Sequence, residues 1–173
     1  MSKLLKIFLV ILTIAACSKK IDKDTLTITT SEGNVITYQV ELAQTPKELS
    51  KGLMNRESLD ANAGMIFDLS TIEDQVSMWM KDTLIPLDML FIDKEGKIFW
   101  IYENAEPNST RRIVPPHQPF AVLEINGGDV AKHNIQTGDT VAHRIFPELA
   151  VITYTPPVNV EVTEVVETEA PLN

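Results

Sequence analysis

Apolar and polar side chains alternate along residues 26–42. Leu26 and Ile28 are spaced by threonines, and Ile36, Tyr38, Val40 and Leu42 by Thr37, Gln39 and Glu41. A period of two puts each set on one face of a strand. The turn residues Glu32-Gly33-Asn34 between the two runs predict a hairpin. Gly64-Met65-Ile66-Phe67 and Val76-Ser77-Met78-Trp79-Met80 read as further strands, and residues 87–93 and 97–102, either side of Lys94-Glu95-Gly96, predict a second hairpin. Residues 120–125, 141–145 and 150–154 complete the β pattern. Two short helices are expected. Thr45 is placed as the N-cap of one, with Pro46 at its first position, Glu48 completing a capping box and Gly52 ending it in a left-handed turn; residues 129–134 form the other. Strands at this spacing, joined by helices only as connections, predict a mainly β domain: an antiparallel β-sandwich or distorted barrel with one or two short connecting helices.

The two ends depart from this pattern. Lys3 and Lys6 precede a nearly unbroken apolar run over residues 7–14, too short for a permanent membrane helix and typical of a signal peptide. Ile14-Ala15-Ala16-Cys17 then resembles a lipobox, in which small residues fit the peptidase cleft and a thiol accepts the diacylglycerol. The expected organisation is a signal peptide over 1–16, a lipid-anchored tether over 17–24, a β domain over 25–155 and an acidic, disordered tail over 156–173. The tail starts at Pro156-Pro157 and carries Glu161, Glu164, Glu167 and Glu169. Lipidation at Cys17 would place the protein in the cell envelope, facing outside the cytoplasm and partnered by the membrane. Ser18 after the cysteine favours the outer membrane if the cell is Gram-negative.

Charge and cysteine content narrow the partners. Removal of Lys3 and Lys6 with the signal peptide takes the formal charge from −9 to −11, which makes nucleic acid an unsuitable partner. Cys17 is the chain's single cysteine, so the exported domain has no internal disulfide and relies on packing. A domain of this length buries roughly two-thirds of its unfolded surface, enough for one core.

Five blocks bear a family likeness: Gly52-Leu53-Met54-Asn55-Arg56; Gly64-Met65-Ile66-Phe67; the long run from Trp79-Met80-Lys81-Asp82-Thr83 through Pro86-Leu87-Asp88; Val122-Leu123-Glu124-Ile125-Asn126-Gly127-Gly128; and Gly138-Asp139. In this order they resemble the uncharacterised family called domain of unknown function 192, over roughly residues 28–154. The resemblance implies an all-β fold of sandwich type and no particular reaction. Asp82 departs from the family pattern, where an Asn is expected after Trp-Met-Lys.

The residues themselves offer one polar constellation. Asp88 shares a strand face with Leu90 and Ile92, and Glu124 shares one with Val122 and Phe120, so two acids stand on otherwise apolar faces and need partners. Arg56 and Lys81 are the candidate cations. Arg56, Trp79, Lys81, Asp88 and Glu124 are therefore the candidate polar site. They either line a pocket or form a structural network in which Asp88 satisfies the loop 81–86 and Glu124 the turn 126–128. No metal or cofactor is expected. The methionines 54, 65, 78, 80 and 89 would be soft ligands for Cu(I), but they sit at core spacing and no histidine accompanies them; one lipidated cysteine does not make a zinc site. No nucleophile elbow or triad context occurs for His117, His133 or His143. The leading expectation is a non-catalytic binding or interaction module for a small ligand or an envelope protein. The alternatives are a carboxylate-dependent enzyme acting on an envelope saccharide or similar small substrate, with Asp88 and Glu124 as its pair, and a purely structural envelope protein.

Overall fold

A computed structural model describes residues 23–146. The expected signal peptide, Cys17, most of the expected tether, the strand expected at 150–154 and the expected tail lie outside these residues. Seven strands and two short helices follow one another: β1 (Lys23–Thr29), β2 (Val35–Ala43), α1 (Pro46–Lys51), β3 (Ala63–Asp68), β4 (Leu87–Ile92), β5 (Ile98–Ala105), β6 (Ala121–Asn126), α2 (Asp129–His133) and β7 (Thr140–Ala142). They form one sheet in the order β5-β4-β6-β3-β2-β1-β7. The mainly β expectation holds, as a mixed sheet curled into a half-barrel.

Curling brings the two edges of the sheet together at one end. A bridge joins Lys97 to Thr140, the Ile98 N–H donates to the Asp139 carbonyl at 2.9 Å, and the Val141 N–H donates to the Gly96 carbonyl at 2.7 Å. All seven strands contribute to the enclosed core, which contains Leu26, Ile28, Tyr38, Val40, Ile66, Leu90, Ile98, Leu123, Ile125 and Val141. A second core, including Leu53, Met65, Phe67, Met80, Met89, Phe91 and Val122, lies on the outer face of β3, β4 and β6 beneath irregular segments. These three strands are thus buried on both faces and read as nearly continuous apolar runs.

Both predicted hairpins form, in antiparallel register. The capping box of α1 is complete: the Glu48 N–H donates to Thr45 Oγ1 at 3.3 Å and the Thr45 N–H to Glu48 Oε2 at 3.1 Å. Four differences from the expected pattern stand out. One pair, β2 with β3, is parallel, which segment 44–62 permits because it is long enough for a crossover. Residues 76–80 make no strand; they cross the outer core with a single bridge, Met78 to Ile113, anchored by buried Val76 and Met80. β7 is shorter than its apolar run, since His143, Arg144 and Ile145 turn away from the sheet. β1 begins at Lys23, inside the expected tether.

Candidate functional site

The two acids separate. In the β4–β6 ladder Asp88 lies opposite Ile125, and Met89 opposite Glu124. Paired residues share a face and neighbours alternate, so Asp88 points into the half-barrel and Glu124 points to the outer face. Asp88 is fully buried and its acceptor capacity is taken up by backbone. Oδ1 accepts from the Asn104 N–H at 2.8 Å, and Oδ2 accepts from the Gly128 and Val130 N–H groups, each at 2.9 Å. It thus ties β4 to the β5 end and to the first turn of α2, where a carboxylate also suits the helix dipole. Asp88, rather than Glu124, satisfies the turn at Gly128; the loop 81–86 finds its bonds elsewhere, with the Thr83 carbonyl accepting from Asn108 N–H and the Asp82 carbonyl from Asn55 N–H.

Glu124 has no such support. It stands mid-strand between Met65 of β3 and Met89 of β4, is only 4% exposed, and its side chain makes no hydrogen bond among the described residues. Burial pushes its carboxyl up to about 8, because the charged form is disfavoured away from water. The carboxyl reaches a cleft of ≈ 30 Å³ lined also by Gly52, Met54, Phe67, Met78, Trp79 and Thr83, room for about one water or one small ligand group. Gly52 keeps this cleft open. Its φ is +47°, and a Cβ there would stand 3.1 Å from Phe67 Cζ and 4.0 Å from Glu124 Oε2.

Trp79 lines the cleft and is itself half-buried. The bridge from Met78 to Ile113 sets Trp79 beside Arg112, whose guanidinium lies 4.6 Å from the indole centroid and donates to Ser77 Oγ at 3.0 Å. Lys81 Nζ is 5.6 Å from the same centroid. Neither expected cation reaches an acid of the constellation. Lys81 is exposed beside Trp79, and Arg56 forms a two-pronged ion pair with Glu41 at 2.5 and 2.6 Å. Glu41 lies opposite Met65 in β2, so this pair occupies the same outer face as Glu124, two strands away. Arg112 and Glu41 were both missed by sequence reasoning. Arg112 belongs to a loop whose contact with Trp79 spans 33 positions and leaves no periodic signal, whereas Glu41 sits in plain alternation with Tyr38 and Val40 but nothing local pairs it with Arg56.

Asp82 has φ +55°, a left-handed conformation that Asn and Asp tolerate better than most residues. It contributes its backbone carbonyl, with no side-chain bond among the described residues, which accounts for a carboxylate standing where the family pattern has an amide. Met54 and Met78 line the cleft while Met65, Met80 and Met89 pack beneath it. Among the described residues no three His, Cys, Asp or Glu side chains converge as a metal cluster. His117 is exposed and stacks on Phe99 at 3.7 Å, and His143 is buried beside Asp24, its pKa lowered chiefly by burial. A larger open groove of ≈ 370 Å³ lies between residues 69–72, 93–95 and 118–120. Its polar groups serve the loops: Asp93 Oδ1 accepts from the Glu95 and Lys97 N–H groups, and Gln118 bonds Val76 and Ile72. The Glu124 cleft is smaller and chemically the more open site.

Residues 27–143 match the family model DUF192, described as an uncharacterised ACR. Among solved structures, the chain is similar to a candidate transcription regulator from Sinorhizobium meliloti 1021, at 37% identity and a TM-score of 0.67, covering 71% of this chain and 95% of that one. It is also similar to a protein of unknown function from Novosphingobium aromaticivorans DSM 12444, at 36% identity and a TM-score of 0.66, covering 70% of this chain and 85% of that one. No curated protein matches.

Proposed function

This chain belongs to the DUF192 family, and on that footing we propose that it is a lipid-anchored, non-catalytic binding module of the cell envelope that takes one polar group of a small ligand into the Glu124 cleft. The observation that carries this reading is the contrast between the two acids. Asp88 is engaged by three backbone donors, whereas Glu124 is buried at a cleft with no hydrogen-bond partner among the described residues. A nearly buried carboxyl with no protein partner is costly to ionise, and its opening onto a cleft fits a partner that arrives from outside.

The enzyme alternative is less well supported. Glycoside chemistry requires two carboxyl groups flanking one bond, about 5–9.5 Å apart with access between them. Asp88 and Glu124 point to opposite faces of the sheet, and Glu41, the other acid on the outer face at this level, is held by Arg56. A regulator acting on DNA would want a basic face and an element long enough for a groove; the net charge of −9 and helices of six and five residues among the described residues favour a small-ligand role.

Anchoring rests on residues 1–17, whose positive start, apolar run and Ala15-Ala16-Cys17 fit export and lipidation. Cys17→Ala should abolish lipid labelling and leave unprocessed precursor; a labelled, normally processed variant would end the anchoring reading. Binding is tested by NMR titration with small hydroxyl- and amine-bearing probes. Shifts centred on the Trp79 indole N–H and Thr83, and absent in Glu124→Gln, are expected. A panel that leaves those signals unmoved in the wild type would refute the cleft as a binding site.

A further inference from the structure

Three basic side chains stand at the cleft or near the Trp79 that lines it, although the chain carries a net charge of −9. Lys51, at the end of α1, lines the cleft itself. Arg112 and Lys81 flank Trp79, which also lines it. None of the three forms an ion pair among the described residues, and Arg111, next to Arg112, forms none either. The contrast with the chain's other arginines is informative: Arg56 holds Glu41 and Arg144 holds Asp24. Arg112 is also positioned in advance. Its guanidinium is stacked on an indole and uses one of its five donors on Ser77 Oγ, so most of its fork is free and already ordered. A guanidinium held against an aromatic ring, with the Lys81 ammonium near the same ring, is suited to a phosphate group, which guanidinium binds through paired N–H donors. Inside the cleft, Glu124 and Thr83 offer hydrogen bonds in a space of ≈ 30 Å³, enough for about one hydroxyl-sized group.

Resting on the cleft reading above, we infer that the site takes a polyol phosphate, its phosphate clasped by Arg112 and Lys81 beside Trp79 and a terminal hydroxyl bonded to Glu124 within the cleft. The two halves of the ligand are read by different residues, which makes the proposal separable from the simpler one. Arg112 and Lys81 are both exposed, so glutamine at either position leaves the fold intact.

The test is an NMR titration of wild type, Arg112→Gln, Lys81→Gln and Glu124→Gln with glycerol, inorganic phosphate and glycerol phosphate. Glycerol phosphate should bind wild type about tenfold or more tightly than glycerol, the size of one charge-assisted contact. Arg112→Gln should remove most of that advantage and leave glycerol unaffected; Lys81→Gln should do so in part; Glu124→Gln should weaken both polyols and spare inorganic phosphate. Raised salt should weaken only the phosphate ligands. Vesicles of phosphatidylglycerol, added to the same proteins, separate the sources: Arg112-dependent vesicle binding supports a lipid headgroup as the ligand, and binding confined to the soluble ester supports a free one. Glycerol binding that gains nothing from the phosphate, or a gain that survives Arg112→Gln, overturns the clasp while leaving the cleft as a polyol site. Silence of Trp79 and Thr83 to all three probes overturns both.

Discussion

Replacing Glu124 with Gln should make the protein more stable, and increasingly so as pH rises. In the unfolded chain this carboxyl ionises near its ordinary 4.5, while in the folded chain burial holds the proton until about pH 8. Below pH 4.5 both states are protonated and the group contributes no pH dependence. Between those values the folded state binds more protons than the unfolded one, so wild-type stability falls as pH climbs, by about 1.4 kcal/mol per pH unit from this group alone. From pH 5 to pH 8 that amounts to about 4 kcal/mol, reduced wherever cleft water reaches the carboxyl. Gln is near-isosteric and does not titrate. The other ionisable groups are common to both proteins and cancel in the difference, including Tyr38, raised by burial and by Asp129, and His143. Urea unfolding of both proteins at pH 5, 6.5 and 8 measures it: near-equal stability is expected at pH 5, with the variant ahead by about 2–4 kcal/mol at pH 8. A wild-type minus variant difference that stays flat with pH would show that Glu124 ionises normally in the folded state, and the argument that it awaits an external partner would fall with it.

Asp88→Asn should have the opposite character. Its two oxygens accept from three N–H groups, and an amide must turn its NH₂ toward at least one of them, so a loss of about 2–4 kcal/mol at neutral pH is expected in the same urea assay; wild-type stability in this variant would contradict the structural role. Gly64→Ala would place a Cβ 2.7 Å from the Glu124 backbone carbonyl, forcing β3 and β6 apart at a cost of about 3 kcal/mol, read from thermal unfolding; a neutral result would contradict the close approach of these strands. A double-mutant cycle on Arg56→Ala and Glu41→Ala should give a coupling of about 1 kcal/mol, fitting a two-pronged, partly buried pair, and no measurable coupling would argue that the pair is not formed in solution.

Much of this domain was legible in its residues, because local physics wrote it there. The Thr45-Pro46-Glu48 cap of α1 and the hairpin turn at Lys94-Glu95-Gly96 are short-range devices that depend on neighbours a few positions away. The strand at residues 76–80 was misread for an equally local reason. Val76, Met78 and Met80 alternate as a strand would, but they do so to anchor an irregular segment on the outer core, with one bridge to Ile113 in place of a ladder. Nothing local could have found Arg112 beside Trp79 or Arg56 on Glu41.

The division between the two acids marks the boundary most clearly. The sequence determined that Asp88 and Glu124 each stand on an apolar face of their own strand, since alternation within a strand is fixed by the backbone. It could not determine whether those faces are the same side of the sheet. That depends on register between strands, where a slip of one residue exchanges the faces, and a strand buried on both sides carries no inside-to-outside contrast from which to read it. Only the tertiary structure, by setting Met89 rather than Asp88 against Glu124, sent one carboxylate into the half-barrel to tie backbone together and left the other at the floor of a cleft.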